Sequence, residues 1–258
     1  MRPKHPVALI TGASSGIGFA TAKALAAEGY HIALGARRAD IVSGLALELA
    51  AQHGILSHAA ALDVRSTPSV QAFVAGSVAA LGAIHVVVNS AGLALGMDPM
   101  ATVPEATWRQ MFETNVDGVL RVTQASLPHI RAAGWGHVVF LGSTAGHGAY
   151  EGGSAYCGTK YAVRAFTETL RLELCGEPVR VSTVDPGMVE TAFSVVRMGS
   201  QEKADAVYRG VTPLRAADIA ECIRWLLSLP DHVNIDEIIV KPRDQAASTK
   251  VHRRPTGQ

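Results

Sequence analysis

The chain has 258 residues, of which 48% are hydrophobic and 17% charged, with a formal net charge of +1. That length suits one α/β domain with a sizeable core, and the composition excludes an intrinsically disordered chain. Near-neutrality gives no reason to expect nucleic acid or an anionic membrane as partner, and no uncharged apolar stretch approaches the ~20 residues of a membrane span.

In chain order, the first apolar run, Val7–Thr11, is too short for the core of a secretion signal and ends in a glycine turn. That turn reads Gly12-Ala13-Ser14-Ser15-Gly16-Ile17-Gly18, and a helix is predicted over Ile17–Glu28. Glycines at the joint of a first strand and a first helix let backbone amides approach a pyrophosphate, and the helix N-terminus adds partial positive charge. The spacing is G-x-x-x-G-x-G, not the more familiar G-x-G-x-x-G. A second strand, His31–Gly35, runs into Ala36-Arg37-Arg38 with no acid before Asp40. An acid at this place bonds the ribose 2′-hydroxyl of NAD, whereas a guanidinium fits a phosphate. Arg37 and Arg38 therefore make NADP(H) the expected cofactor.

The alternation continues with a helix over Asp40–His53, a strand over Leu56–Leu62, a helix over Ser69–Leu81 and a strand over Ile84–Asn89. A long helix is predicted over Glu105–Ala132, then a strand over His137–Leu141, a helix over Ala155–Leu174 and a strand over Val179–Val184. A helix at Ala217–Leu229 and a strand at Ile238–Val240 close the series. Near-continuously apolar strands between amphipathic helices imply a Rossmann-type α/β fold, a doubly wound parallel sheet with helices on both faces. No repeat or linker divides the chain, so residues 1–245 read as one dinucleotide-binding catalytic domain. Residues 246–258, with the basic cluster Lys250–Arg254, read as a flexible tail. Residues 190–212 are polar and contain Gly199 and Gly210, and they read equally as a substrate lid or a surface excursion. Cys157, Cys175 and Cys222 show no CxxC and no metal-ligand spacing, so no metal is expected and the compartment reads as the cytoplasm.

Tyr156 and Lys160 stand four residues apart on a predicted helix and so share a face. A phenol titrating near ~10 is a poor acid and base at neutral pH, and an adjacent ammonium is expected to lower that value. Ser143 follows an apolar strand, where the carboxyl end of a sheet presents it to a ligand.

Taken together, these residues resemble the short-chain dehydrogenase/reductase family. Thr11–Gly18 matches its TGxxxGIG motif, Asp63-Val64 its adenine-side acid, and Asn89-Ser90-Ala91-Gly92 its NNAG strand end, with Ser90 in place of the second asparagine. Asn115, Ser143, Tyr156 and Lys160 match the catalytic set, and Pro186-Gly187-Met188-Val189-Glu190-Thr191 matches the PGxVxT segment beside the nicotinamide. The resemblance spans about Val7 to Pro242. A weaker likeness, carried by Arg37, Arg38 and Pro230–Ile238, points to NADP-dependent reductases of hydroxy acids and small aldehydes.

The resemblance implies hydride transfer between nicotinamide and a small carbonyl or alcohol, with Tyr156 as general acid/base and Ser143 bonding the carbonyl oxygen. It implies that Lys160 holds the nicotinamide ribose and acidifies Tyr156, that Asn115 holds a relay water, and that Thr191 anchors the carboxamide. Gly12, Ser14, Ser15, Gly16, Ile17, Gly18, Asp63, Val64, Asn89, Ala91, Gly92, Pro186, Gly187 and Val189 are the remaining expected cofactor contacts. Leu93, Leu95, Met97, Tyr150 and Phe193 flank the expected substrate crevice, and His147 and Met188 are assigned to the substrate itself. A homo-oligomer, tetramer or dimer, is also implied. Two alternatives are a 3-oxoacyl-thioester reductase, docking a carrier through Arg121, Arg131 and Arg164, and a catalytically silent NADP-binding regulator. An extended-family epimerase or dehydratase fits neither the length nor the glycine spacing.

Overall fold

The computed structural model describes residues 2–255. Seven strands form one parallel sheet: β1 (Val7–Thr11), β2 (His31–Ala36), β3 (Ser57–Ala61), β4 (Val86–Asn89), β5 (Gly136–Leu141), β6 (Val179–Pro186) and β9 (Glu237–Val240). Their order is β3-β2-β1-β4-β5-β6-β9, so the winding direction reverses between β1 and β4. Ligands of such sheets bind outside the carboxyl ends of the strands at this switch point.

Alternation along β1 shows why both faces are buried. Ala8 and Ile10 pack with Ala22 and Leu25 of α1 (Gly16–Ala27), Leu45 of α2 (Ala39–His53), and Ile219 and Ile223 of α9 (Ala216–Ser228). Val7 and Leu9 face Phe73 of α3 (Thr67–Leu81), Val122 of α5 (Gly118–Ala132) and Val163 of α6 (Ser154–Glu173). Burying each such aliphatic side chain contributes about 1.5–3 kcal/mol, which selects this register over a one-residue slip.

Histidines tie several strand starts. His85 Nδ1 accepts the Val7 N–H at 3.0 Å and His31 Nδ1 accepts the Leu56 N–H at 3.1 Å. His137 is fully buried; Ser182 Oγ donates to Ile235 O, so the imidazole Nε2–H must donate to Ser182 at 2.7 Å.

Three expectations about the elements change. The long helix over residues 105–132 is α4 (Glu105–Phe112) and α5 joined by a π-helical turn, Glu113–Asp117, that carries Asn115. Periodicity misses it because a π-turn adds one residue without breaking the apolar pattern. The polar excursion contains α7 (Ala192–Met198) and α8 (Gln201–Tyr208), bracketed by a two-stranded ladder of β7 (Val189–Glu190) and β8 (Leu214–Arg215). The tail expected from residue 246 is folded over its described residues, where β10 (Gln245–Ala247) pairs antiparallel with β11 (Lys250–Val251). Two of its exposed basic residues reach back to the chain: Arg253 donates to Arg209 O at 2.7 Å and Val207 O at 3.0 Å, at the end of α8. Arg254 pairs with Asp244 at 2.7 Å, and its N–H donates to Gly210 O. Residues 256–258 of that expectation lie outside the described residues. No described helix is long and apolar enough to cross a membrane.

Candidate active site

A cleft of about 580 Å3 opens at the switch point. Its floor is the turn after β1, where Gly12 has φ +67° and a Cβ there would lie 2.9 Å from the Ala91 backbone. A Cβ at Gly18 would lie 2.7 Å from Gly12 O, so both positions exclude larger residues and keep α1 against the turn. Thr11 Oγ1 accepts the Ser90 and Ala91 N–H groups at 3.1 and 3.0 Å and locks the end of β4 beside it.

The residues suit a phosphorylated dinucleotide. Ser15 starts α1 without a side-chain cap, and the first turn holds no acid. The N–H groups that every helix N-terminus leaves unpaired thus remain open to a phosphate. Arg37 and Arg38 stand exposed at the end of β2, and Arg38 donates to Ser14 Oγ at 3.1 Å, joining the guanidinium to the glycine turn. At the far wall Asp63 is bonded through both oxygens to Arg65, whose guanidinium holds the carboxyl down to about 2. Arg65 lines the cleft and carried no signal in the sequence reading.

Of the expected cofactor residues, Gly12, Ser14, Ser15, Gly16 and Ile17 line the cleft at the turn. Arg37, Arg38, Asp63, Val64, Ala91 and Gly92 line the part beyond the ends of β2, β3 and β4, and Pro186, Gly187, Val189 and Thr191 line the cleft together with Ser143, Tyr156 and Lys160. Asn89 is turned away: it donates to Thr123 Oγ1 at 3.2 Å and ties β4 to α5. Gly18 acts by packing, as above.

The catalytic candidates converge from three elements. Ser143 follows β5 and caps the short 3-10 turn Thr144–Gly146 by accepting the Ala145 N–H at 3.1 Å. Tyr156 and Lys160 occupy the first turns of α6, with the ammonium 5.8 Å from the phenol ring centre. Lys160 Nζ donates to Leu141 O at 2.7 Å, and burial brings its amine down to about 8. Burial also pushes the Tyr156 phenol above its ordinary value, and the Ser143 hydroxyl and Arg197 only partly oppose this. The expected acidification of Tyr156 by Lys160 is thus outweighed: desolvation of the phenolate dominates, and the ammonium is engaged by the Leu141 carbonyl. Asn115 is also committed, donating to Leu93 O at 2.7 Å and Thr159 Oγ1 at 3.1 Å and accepting from Leu93 N at 2.9 Å. Its amide pins one cleft wall to the helix turn that carries Lys160.

Of the four expected substrate residues, Ser143 and Tyr156 line the cleft, and His147 and Met188 are placed elsewhere. His147 is bonded to Asp185, 2.6 Å from Nε2 to Oδ2, with Glu237 at 3.2 Å on the same nitrogen, and it is not a cleft residue. These three could hold a cation by their spacing; as they stand, the imidazole itself bridges the carboxylates. Met188 offers its N–H to Gln245 Oε1 at 2.8 Å, outside the cleft, so the C-terminal hairpin braces the segment at the end of β6. A residue the sequence reading missed lies over Tyr156 instead. Arg197 of α7 sits 5.5 Å from the Tyr156 ring centre and 5.4 Å from that of Tyr150, tethered by Nε to Gly96 O at 3.3 Å. Its NH2 group is buried and has no hydrogen-bond partner.

A glycine turn at the switch point, an uncapped helix N-terminus beside two arginines, and a Ser/Tyr/Lys group at the other end of one cleft define a dinucleotide-dependent oxidoreductase. The comparisons agree. The family described as short chain dehydrogenase matches residues 6–201. A sulfoacetaldehyde reductase 2 of Chromohalobacter salexigens is 42% identical, with 94% of this chain and 96% of that protein covered. A serine 3-dehydrogenase of Rhizobium radiobacter is 41% identical, with 95% and 97% covered. Among solved structures, the closed form of a serine dehydrogenase complexed with NADP+ superimposes with a TM-score of 0.89 at 35% identity, covering 96% of this chain and all of that one. The chain belongs to the short-chain dehydrogenase/reductase family.

Proposed function

We propose that the chain is an NADP(H)-dependent oxidoreductase of a small carbonyl compound, or of the matching alcohol, whose substrate carries an acid group. The observation that carries the reading is that Tyr156, Ser143 and the glycine turn line one continuous cleft. When bound, NADP(H) supplies or takes up the hydride. Every other task falls to the chain. Ser14, Ser15 and the α1 N-terminus would hold the pyrophosphate, and Arg37 and Arg38 the 2′-phosphate.

Tyr156 is a protonated phenol at neutral pH that burial makes a weaker acid, a rise the Ser143 hydrogen bond partly offsets, and it gives its proton to the substrate oxygen in the reducing direction. Ser143 donates a hydrogen bond to that oxygen, where negative charge develops. Lys160 would bond the nicotinamide ribose, and Asn115 keeps Leu93 and the Lys160 turn in register. Phe193, 5.8 Å from the Tyr156 ring, forms the apolar cover. α7 and α8 act as the lid.

Arg197 supports the acid group. Its unpartnered NH2, buried against the Tyr150 and Tyr156 rings just outside the residues that line the cleft, is a positive charge beside the reacting phenol that suits a carboxylate or sulfonate. Two relatives are named for substrates that carry one, serine and sulfoacetaldehyde. The test is NADPH oxidation across neutral aldehydes and ketones, keto acids, sulfonated aldehydes and acyl thioesters. Highest kcat/KM with the small acids is expected. A preference for acyl thioesters, or tighter binding of NADH than NADPH, overturns the corresponding half.

Two coarser proposals accompany it. Phe112, Leu120, Tyr161 and Leu172 leave apolar surface exposed on α4, α5 and α6, which supports a homo-oligomer, and light scattering of a lone monomer refutes it. All three cysteines are unpaired, which supports a cytoplasmic setting.

A further inference from the structure

Behind the cleft lies a buried carboxylate that the mechanism above does not use. Asp185 is the next-to-last residue of β6, immediately before Pro186-Gly187, and is 2% exposed. Thr183 Oγ1 donates to its Oδ1 at 2.6 Å, and His147 Nε2 lies 2.6 Å from its Oδ2. The carboxylate fills the space over Gly142, where any side chain would run into it. Gly142 is flanked by Leu141, whose carbonyl receives the Lys160 ammonium, and by Ser143.

Lys160 is itself buried, and the bond to Leu141 O is the one hydrogen bond its ammonium makes among the described residues. A desolvated ammonium with one neutral acceptor is costly unless a negative charge stands near. Asp185 is the charge that acts on it. We propose that Asp185 is a positioning residue for the reaction. Its carboxylate, held by Thr183 and His147, is the counter-charge that keeps the Lys160 ammonium charged and seated on the strand end that presents Ser143.

The inference rests on Lys160 as a cofactor-holding residue and deepens that reading. The other ionisable groups are accounted for. Glu237 of β9 meets the same imidazole nitrogen at 3.2 Å and faces Asp185 itself, so that burial and the neighbouring carboxylate push its own carboxyl up. Arg164 of α6 stands 3.8 Å from Glu237 with Glu168 beyond it at 3.1 Å. On its own helix, Lys160 faces Tyr156, whose raised phenol titrates above the amine, and Arg197 lies across that ring.

The experiment reads NADPH affinity by cofactor fluorescence across about pH 6 to 10, where the 2′-phosphate, titrating near ~6, is already ionised over most of the range. In the wild type, affinity should break near the Lys160 titration, at about 8. Asp185→Asn keeps the shape and removes the charge, and it should move the break down by about one pH unit. His147→Gln keeps a neutral donor for the carboxylate and should leave the break in place. A break moved by Asp185→Asn alone distinguishes a field acting on Lys160 from a loosened network, which would move both alike. An unmoved break in Asp185→Asn, or equal displacements in the two variants, overturns the proposal. If Asp185→Asn does not fold, Asp185→Ser takes its place with the same expectation. A wild-type affinity with no break, unaltered in Lys160→Met, refutes the Lys160 assignment itself, and the proposal with it.

Discussion

At the residue scale, the proposed function places the chemistry on Tyr156 and the selectivity on Arg197. Tyr156 has a hydroxyl on the cleft and a titration raised by burial, so Tyr156→Phe removes the proton donor while leaving the apolar contact with Phe193. Turnover should fall by about 100- to 10,000-fold, the usual worth of a placed general acid, with NADPH binding retained. Stopped-flow turnover and fluorescence titration on the same preparation check both halves. Arg197→Met keeps much of the stem that packs on Tyr150 and Tyr156 and deletes the charge. Losing one charge-assisted pair costs about 1.5–3 kcal/mol, so KM for an acidic substrate should rise about 10- to 100-fold. A neutral aldehyde should be little affected, and an equal loss for both substrates would refute the anchor.

Elements differ in how plainly their sequences announce them. The strands and long helices follow from apolar period and length. The π-turn at Glu113–Asp117 and the C-terminal hairpin do not, since each depends on partners far along the chain. Asn115 is the clearer case: the sequence marks an asparagine, whereas its bonds to Leu93 and Thr159 span 22 and 44 residues. The hairpin secures the excursion that carries Arg197. Arg253 holds the last carbonyls of α8, and Gln245 holds Met188 ahead of α7. The double variant Arg253→Ala, Arg254→Ala should therefore expose α8 and the loop after it. Trypsin should cut at Lys203 and Arg209 several-fold faster than in the wild type, read by mass spectrometry of the first fragments. Unchanged cleavage rates at these two bonds would show that the hairpin does not restrain the segment.

For the whole molecule, one buried histidine and three half-buried ones set the response to acid. His31, His58, His85 and His137 all titrate below their ordinary value of 6.5, with burial as the leading cause in each. The folded chain therefore keeps these rings neutral where the unfolded chain begins to protonate them. The unfolded state binds more protons, so stability falls as pH drops below about 6.5. Asp63, held down to about 2 from 3.8, acts only at still lower pH, where its protonation removes the bond to Arg65. The melting temperature should decline from pH 7 to pH 5, with His137 contributing up to about 1.4 kcal/mol per pH unit. His137→Gln should flatten that decline even if it lowers the midpoint at neutral pH, and scanning calorimetry at several pH values checks it.

The sequence by itself determined the doubly wound sheet, the glycine turn, the two arginines after the second strand and the Ser143/Tyr156/Lys160 set. The sheet and the turn are properties of local spacing, since a strand-to-helix turn fixes its own geometry wherever it occurs. The Ser143/Tyr156/Lys160 set was legible through its resemblance to the family's motifs, the four-residue interval alone placing only Tyr156 and Lys160 on one face. Tertiary structure alone decided that His147 turns to Asp185 rather than to the cleft and that Asn89 serves a helix contact. It likewise decided that Arg197 reaches Tyr156 and that burial, not the neighbouring ammonium, governs the phenol. Each of these is settled by groups brought together from distant strands and by how much water they lose there, neither of which is encoded in the interval between neighbours.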